Sequence, residues 1–260
     1  MGPGFRLTIG VDPGEVRRAS AEFAGFANAH ALPAPVRRSI HVALDEFLHN
    51  TLVHGFAGRT EGQVTVEVAL GSDRVIITIT DDGPPFDPLA AAAPDIGLSV
   101  AERQIGGLGI HLVRQMMDEV SYHRRAEQNV VVLVKFLAEG MKVDQRGENQ
   151  MDVSTRTEQG VTIIAFAGNL DSNTSPAAQQ TLDGILAGGG KKLIIDFSTL
   201  DYISSAGLRV LLGAAKQLQR SGGALRLFGL NETVREVFEI SGFSTILTVR
   251  GSEAEAREGL

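Results

Sequence analysis

The sequence predicts two domains of different classes, an α+β sandwich followed by an α/β domain. In the first half, two runs of helical hydrophobic spacing precede a set of alternating strands. In the second half, predicted strands and helices alternate. A polar stretch without a hydrophobic period separates the halves at residues 139–150, and 260 residues are enough for two modest domains. We therefore predict domains at 1–138 and 151–260, joined by a linker.

The elements of the first half follow from the spacing of apolar residues. Recurrence every three or four positions predicts helices, and strict alternation predicts half-buried strands. Two helices before an antiparallel sheet are typical of a two-layer sandwich. The predicted elements are the strands Phe5–Val11, Gln63–Leu70, Arg74–Thr80 and Val130–Leu137, and the helices Pro13–Ala31 and Pro35–Phe56.

The second half is predicted to form a small sheet with helices packed on it. Met151 opens this half like a start codon, which would fit a fusion of two once-separate genes. The predicted strands are Val161–Ala167, Lys192–Phe197 and Ala224–Phe228, and the predicted helices are Thr174–Leu186, Leu208–Ser221 and Glu232–Ser241.

Composition excludes several classes of function. The chain has no cysteine, so disulfides, thiolate nucleophiles and cysteine-ligated zinc are excluded. A net charge of -7 argues against a general nucleic-acid binder, which usually carries a basic excess. No apolar run is long enough to span a bilayer, and the first ten residues lack a signal-peptide core. We expect a cytoplasmic protein without direct nucleic-acid contact or a membrane span.

Three stretches of the first half carry residues suited to nucleotide chemistry. Glu46, Asn50 and His54 recur every four positions and so share one helical face. DDGPPFD follows a strand at 81–87, and GGLGIHLV enters a helix at 106–113. An Asn oxygen suits Mg²⁺, a Glu can deprotonate a hydroxyl, and an Asp can accept from an adenine amino group. Glycines let backbone amides approach phosphates, and a helix N-terminus favours anions.

The order and spacing of these stretches resemble the GHKL (Bergerat) ATPase fold, and within it the anti-sigma-factor serine kinases, over about residues 5–138. The resemblance implies an ATP-binding α/β sandwich that dimerises. It implies that Glu46 is the catalytic base, that Asn50 holds Mg²⁺ and that Asp81 reads adenine. The residues that it places along the nucleotide are Gly83, Gly107, Gly109 and Ile110.

Two residues near these motifs can each be interpreted in two ways. The resemblance makes Pro88–Gln104 a lid over ATP, from which Arg103 either reaches a phosphate or is an ordinary surface arginine. His54 either lies beside the nucleotide or hydrogen-bonds near the end of its helix.

In the second half, the stretch DYISSAGLRVLL at 201–212 places two serines before an apolar-periodic run. A serine in that position is a good helix N-cap, worth about 1 kcal/mol. The same position also suits a phosphate, because a helix N-terminus favours anions. The sequence of this stretch leaves both roles open.

Residues 151–257 resemble a STAS domain of the anti-sigma-factor antagonist type. The resemblance rests on Gly168–Asp171, on the strand 193–196 and on the stretch from Asp201 to Leu208. It implies that the phosphoacceptor is Ser205. Ser204 stands where the family often has Asp, so Ser204 remains the alternative acceptor.

Together the two resemblances imply a partner-switching regulator in which a serine/threonine kinase that uses ATP and Mg²⁺ is fused to its substrate. A linker of about 12 residues has an r.m.s. span of roughly 20 Å, which is marginal for the serine to reach the kinase site of its own chain. We therefore expect phosphorylation in trans within a dimer. The implied partners are a sigma factor or another output protein and a PP2C-type phosphatase. The rival hypotheses are a non-catalytic nucleotide sensor whose STAS domain docks a partner, and an ATP hydrolase that uses the STAS domain as an anchor.

Overall fold

The computed structural model describes residues 2–90, 94–95, 98–102, 107–137 and 151–260. These residues form two compact units, each with its own five-stranded sheet. Arg103, the predicted linker and part of the predicted lid lie outside the described residues. The domain boundaries at 138 and 151 therefore stay predictions.

The sheet of the first unit is antiparallel throughout and has the strand order β1-β2-β3-β5-β4. Its inward face is made by the apolar residues that alternate along β2 and β3, as the sequence pattern predicts. The strands are β1 (Gly4–Ile9), β2 (Val64–Leu70), β3 (Arg74–Asp81), β4 (Glu119–Arg125) and β5 (Gln128–Phe136).

Helices cover that inward face and form the core with it. The central one is the second, in which every residue from Val42 to Leu48 is buried, polar ones included. It continues past Asn50 as a π-helical segment, Thr51–Gly55, in which the Phe56 amide donates to the Thr51 carbonyl at 2.9 Å. The α-helices of this unit are α1 (Glu15–Ala29), α2 (Ala34–Asn50) and α3 (Leu108–Met116).

The second unit has a mixed sheet of strand order β10-β9-β8-β7-β6. Strand β6 is antiparallel to β7, and the remaining pairs are parallel, as strand–helix alternation requires. The strands are β6 (Met151–Glu158), β7 (Val161–Leu170), β8 (Lys192–Ile203), β9 (Ala224–Phe228) and β10 (Thr248–Arg250). The helices are α4 (Ser175–Ala187), α5 (Ser205–Arg220), α6 (Glu232–Ile240), α7 (Phe243–Ile246) and α8 (Glu253–Arg257).

A row of aromatic rings runs through the core of the second unit. Phe197 is 6.1 Å from Phe166 and 6.3 Å from Phe238, and Phe238 is 5.9 Å from Phe243, measured between ring centroids. Such tilted and edge-on contacts add to the apolar burial that holds β7, β8 and α6 together.

The predicted two-domain fold is confirmed, with additions. Strands β4 and β6 and the short elements α7, β10 and α8 near the C-terminus were not predicted from the sequence. Met151, which opens the second half of the sequence, is the first residue of β6. In the part of the chain that the structure describes, no helix combines the length and apolar character that crossing a bilayer requires.

Candidate functional site

Helix α2 carries the first of the three predicted motifs. Glu46 is 3% exposed, inside the fully buried stretch of the helix, and Asn50 is half-buried at its last residue. His54 lies in the π-helical segment and is exposed. The four-residue spacing places Glu46 and Asn50 on one face of α2, and His54 follows Asn50 by four residues within the π-helical segment. Such π segments are frequent at functional sites.

The glycine-rich motif meets α2 at the carboxylate of Glu46. Gly107 adopts a left-handed conformation with φ of 77°, and α3 begins at the next residue. A Cβ atom on Gly109 would lie 2.0 Å from Glu46 Oε2, so the first turn of α3 approaches this carboxylate as only glycine allows. Ile110, the next residue, is partly buried and packs on the hydrophobic core.

The turn after β3 meets the same helical run at its other end. Asp81 is 7% exposed, and its Oδ1 accepts from the Gly83 amide at 2.9 Å. A Cβ atom on Gly83 would lie 3.6 Å from Phe56 Cζ and 3.7 Å from the Gly55 carbonyl oxygen. The three motifs predicted from sequence thus converge, with α2 and its π extension contacted by both of the others.

A buried amide that the sequence analysis missed holds this turn. The side chain of Asn129, on β5, donates to Asp81 Oδ1 at 2.8 Å and to the Pro84 carbonyl at 2.9 Å. Its Oδ1 accepts from the Tyr122 hydroxyl and from Arg124 Nη1, both at 2.9 Å. With acceptors on one side and donors on the other, the amide has a single satisfied orientation.

Arg124 ties the outer part of the same turn to the sheet. Its Nη1 also donates to the Gly83 carbonyl at 2.9 Å. Asn129 stands directly opposite Asp81 in the β3–β5 register, so the network links neighbouring strands. The signal that could have found Asn129 was a polar residue at the start of an otherwise apolar strand, but only the register shows that it faces Asp81.

Burial changes the pKa of the Asp81 carboxyl. Burial raises the pKa of the Asp81 carboxyl above its ordinary value, because desolvation disfavours the charged form. The hydrogen bonds from Asn129 and Gly83 oppose this and favour the ionised form. Both of these hydrogen bonds go to Oδ1, so the described bonds leave Oδ2 as the oxygen through which Asp81 would accept from a ligand.

In the second unit the two serines have different surroundings. Ser204, 0% exposed, is the N-cap of α5, and its hydroxyl accepts from the amides of Ala206 at 3.2 Å and Gly207 at 3.4 Å. Ser205, 2% exposed, is the first helical residue, and its hydroxyl accepts from Arg209 Nη2 at 3.3 Å. The sequence analysis left capping and phosphoacceptance open for one serine, but the structure gives the capping role to Ser204.

Close packing fixes the start of α5 against the sheet. A Cβ atom on Gly207 would lie 2.7 Å from the Leu170 carbonyl oxygen and from Ile203 Cγ1. The Ser204 amide donates to the same Leu170 carbonyl at 2.9 Å. The position of the two serines is therefore set by contacts with β7 and β8.

Both units match known protein families. Residues 9–135 match the family model of the histidine kinase-like ATPase domain, and residues 152–256 match that of the STAS domain. The candidate anti-sigma factor antagonist BtrV of Bordetella bronchiseptica is 42% identical over 97 residues, which are 37% of this chain and 84% of that protein. The serine-protein kinase RsbW of Listeria monocytogenes is 27% identical over 153 residues, 57% of this chain and 94% of the kinase.

Among solved structures, an anti-sigma factor antagonist from Mycobacterium paratuberculosis is similar to this chain. It is 20% identical with a TM-score of 0.39, and the match covers 41% of this chain and 91% of that one.

Proposed function

This chain belongs to the families of histidine kinase-like ATPases and STAS-domain anti-sigma factor antagonists, with one domain of each in a single polypeptide, and we propose that it is a self-contained partner-switching regulator. In this proposal the first domain is an ATP-dependent serine/threonine protein kinase, and its substrate is Ser205 of the STAS domain.

The observation that supports the kinase best is the convergence of three sequence-distant motifs on one helix. Gly109 abuts the Glu46 carboxylate, and Gly83 packs against the end of the π segment. An ATP molecule laid across this helix would have its adenine at Asp81 and its phosphates at the glycines that precede and open α3. The left-handed Gly107 and the helix N-terminus that follows it favour bound phosphate.

Each residue of the site has a distinct proposed role. Asp81 Oδ2 accepts from the adenine amino group, while Oδ1 stays bonded to Asn129 and Gly83. Asn50 supplies a side-chain oxygen, the kind of ligand that Mg²⁺ prefers, and the ion would neutralise charge on the phosphates. Glu46 accepts the proton of the serine hydroxyl as that oxygen bonds to the γ-phosphorus and the bond to ADP breaks.

Ser205 is the proposed acceptor because Ser204 is committed to the helix cap. The Ser204 oxygen already accepts hydrogen bonds from two backbone amides, and phosphorylation of that oxygen would disrupt these capping bonds. The Ser205 hydroxyl is bonded to a side chain, which can move aside without unwinding the helix.

The proposed partners follow from the relatives. One relative is the anti-sigma-B factor antagonist of Listeria monocytogenes, so we propose that the STAS domain or the kinase domain binds a sigma factor or a comparable output protein. A PP2C-type phosphatase would remove the phosphate, and the kinase domain would form a homodimer.

Intact-mass measurement of the purified full chain incubated with Mg-ATP tests the proposal. The wild type should gain one phosphate, and the Glu46→Ala and Ser205→Ala proteins should gain none. The Glu46→Ala protein must still bind ATP for the result to report on catalysis. Labelling of the wild type that persists in Ser205→Ala would refute the assignment of the acceptor.

A second candidate, a nucleotide sensor without phosphoryl transfer, is favoured by one observation. Ser205 is 2% exposed, so its hydroxyl is covered in this structure. The sensor hypothesis predicts ATP binding without a mass change, and without ADP formation, which also separates it from an ATP hydrolase.

A further inference from the structure

Arg209 contacts the residue that the proposed function makes the phosphoacceptor. It lies one turn after Ser205 on α5 and is half-buried. Its Nη2 is 3.3 Å from Ser205 Oγ, and its Nε donates to the Ser205 carbonyl at 3.3 Å. The guanidinium is therefore anchored to the backbone of the serine and also touches the hydroxyl that would carry the phosphate.

The chemistry of this contact changes when the hydroxyl is phosphorylated. The neutral hydroxyl offers the guanidinium one uncharged acceptor oxygen, whereas a phosphate has about -1.5 to -2 charges and three strong acceptor oxygens. Arginine presents several N–H donors in a planar fork that matches phosphate. A phosphate attached at Oγ lies within reach of a group that is already 3.3 Å from that oxygen.

The ion pairs among the described residues leave Arg209 available for this role. Among the described residues of the second unit, the arginines that pair with carboxylates are Arg156 and Arg257, which bond Glu158 in the first strand and Glu253 in the last helix. Arg209 bonds instead to two oxygens of Ser205.

We infer that Arg209 is a positioning residue that holds the phosphate of phosphorylated Ser205 in a charge-assisted hydrogen bond. This inference rests on the proposed role of Ser205. It adds a specific function for Arg209: the arginine stabilises the phosphorylated state and partly neutralises the charge that a partner meets at the start of α5.

The test uses the full chain made with phosphoserine incorporated during synthesis at position 205, so it does not depend on kinase activity. The phosphorus NMR shift of the phosphoserine is followed through its second ionisation, whose pKa is ordinarily about 6. An opposite charge within hydrogen-bond distance lowers such a pKa by about 1 unit or more. The Arg209→Gln protein should therefore show a phosphate pKa about 1 unit higher than the wild type.

Two further variants separate the contact from general effects. Arg209→Lys keeps the charge without the fork and should restore part of the shift. Arg220→Gln removes the same charge from the last turn of the same helix, about 22 Å from Ser205 along the axis and beyond the Debye length at physiological salt. It should leave the phosphate pKa close to that of the wild type.

The carboxylates of Asp171, Asp183 and Asp201 are present in every variant, so any effect that they have on the phosphate pKa is common to all of the variants. The difference between variants therefore reports on Arg209. If the phosphate pKa of Arg209→Gln equals that of Arg220→Gln while both proteins melt as folded domains, the inference is wrong. If that titration gives the expected shift while the wild type fails to phosphorylate itself with Mg-ATP, the proposed kinase fails and the role of Arg209 stands.

Discussion

Replacing Asp81 with asparagine separates the structural role of this side chain from its proposed role in binding adenine. In the substituted side chain, Oδ1 can keep the bonds from the Gly83 amide and from Asn129 Nδ2, now 2.9 and 2.8 Å long. The amide nitrogen then stands where Oδ2 was. That nitrogen donates rather than accepts, so it cannot accept a hydrogen bond from the amino group of adenine. The turn stays intact because its hydrogen bonds go to Oδ1.

The size of the effect follows from the bond that is lost. A hydrogen bond to a charged group is worth about 1.5–3 kcal/mol, which corresponds to a roughly 10- to 100-fold weaker affinity for ADP. Guanine carries an acceptor where adenine carries its amino group, so the same substitution should bring the affinities for GDP and ADP closer together.

Titration calorimetry with ADP and GDP on the full chain measures both affinities without turnover. Asp82→Asn is the matched control, because the neighbouring Asp82 is exposed and its Oδ1 accepts from the Gln63 amide at 2.9 Å, on the far side of the strand end. Unchanged ADP affinity in a folded Asp81→Asn protein would refute the assignment of adenine to Asp81.

The same substitution predicts how stability depends on pH. Burial raises the pKa of Asp81, so the folded wild type favours the protonated acid more than the unfolded chain does. The wild type therefore loses stability as pH rises from the ordinary aspartate range through the raised pKa, and asparagine has nothing to titrate. Urea unfolding should show the Asp81→Asn protein gaining stability relative to the wild type across that window, with a constant difference above it. A difference that shrinks as pH rises would contradict this account.

Three further predictions concern catalysis and the serines. Gly109→Ala places a Cβ 2.0 Å from Glu46 Oε2, so the carboxylate must shift and the rate of phosphate incorporation should fall about 100-fold. The control Gly25→Ala has open space around its Cβ and should not change that rate. Ser204→Ala should cost about 1 kcal/mol of unfolding free energy by chemical denaturation and still label, whereas Ser205→Ala should keep the cap and lose the label. In a mixture of Glu46→Ala and Ser205→Ala proteins with Mg-ATP, one chain keeps the proposed base and the other keeps the proposed acceptor. Transfer in trans predicts a phosphate on the Glu46→Ala chains by mass, and a mixture without added phosphate would mean that transfer occurs only within one chain.

The elements that sequence patterns predicted are those whose hydrophobic period is clear. The residues of β2 and β3 alternate between buried and half-exposed, and their boundaries were predicted to within a residue or two. Strand β6 was missed because most of its side chains are exposed, so no apolar alternation marks it. Strand β4 was missed because the inward side of its alternation includes a tyrosine and an arginine that serve the Asn129 network.

The candidate site was predictable in its motifs and not in the contacts between them. Spacing along one helix placed Glu46 and Asn50 on one face, but no residue type in the sequence indicates that the helix continues as the π segment that contains His54. Asn129 is remote in sequence from Asp81, and only the antiparallel register of β3 and β5 makes them neighbours. The contact of Gly109 with Glu46 likewise depends on where α3 begins in space.

The separation of roles between the two serines determines what a partner can sense. The cap that starts α5 belongs to Ser204 and stays intact when Ser205 is modified, so phosphorylation need not change the fold of the helix. What would change is the charge: the net charge of the chain would go from -7 to about -9, and the added charge would lie at the start of α5. A partner that distinguishes the two forms would then do so by electrostatics, and in our proposal Arg209 would set how much of the added charge that partner meets. Discrimination between the forms should accordingly weaken as salt is raised, and it should grow when Arg209 is replaced by glutamine.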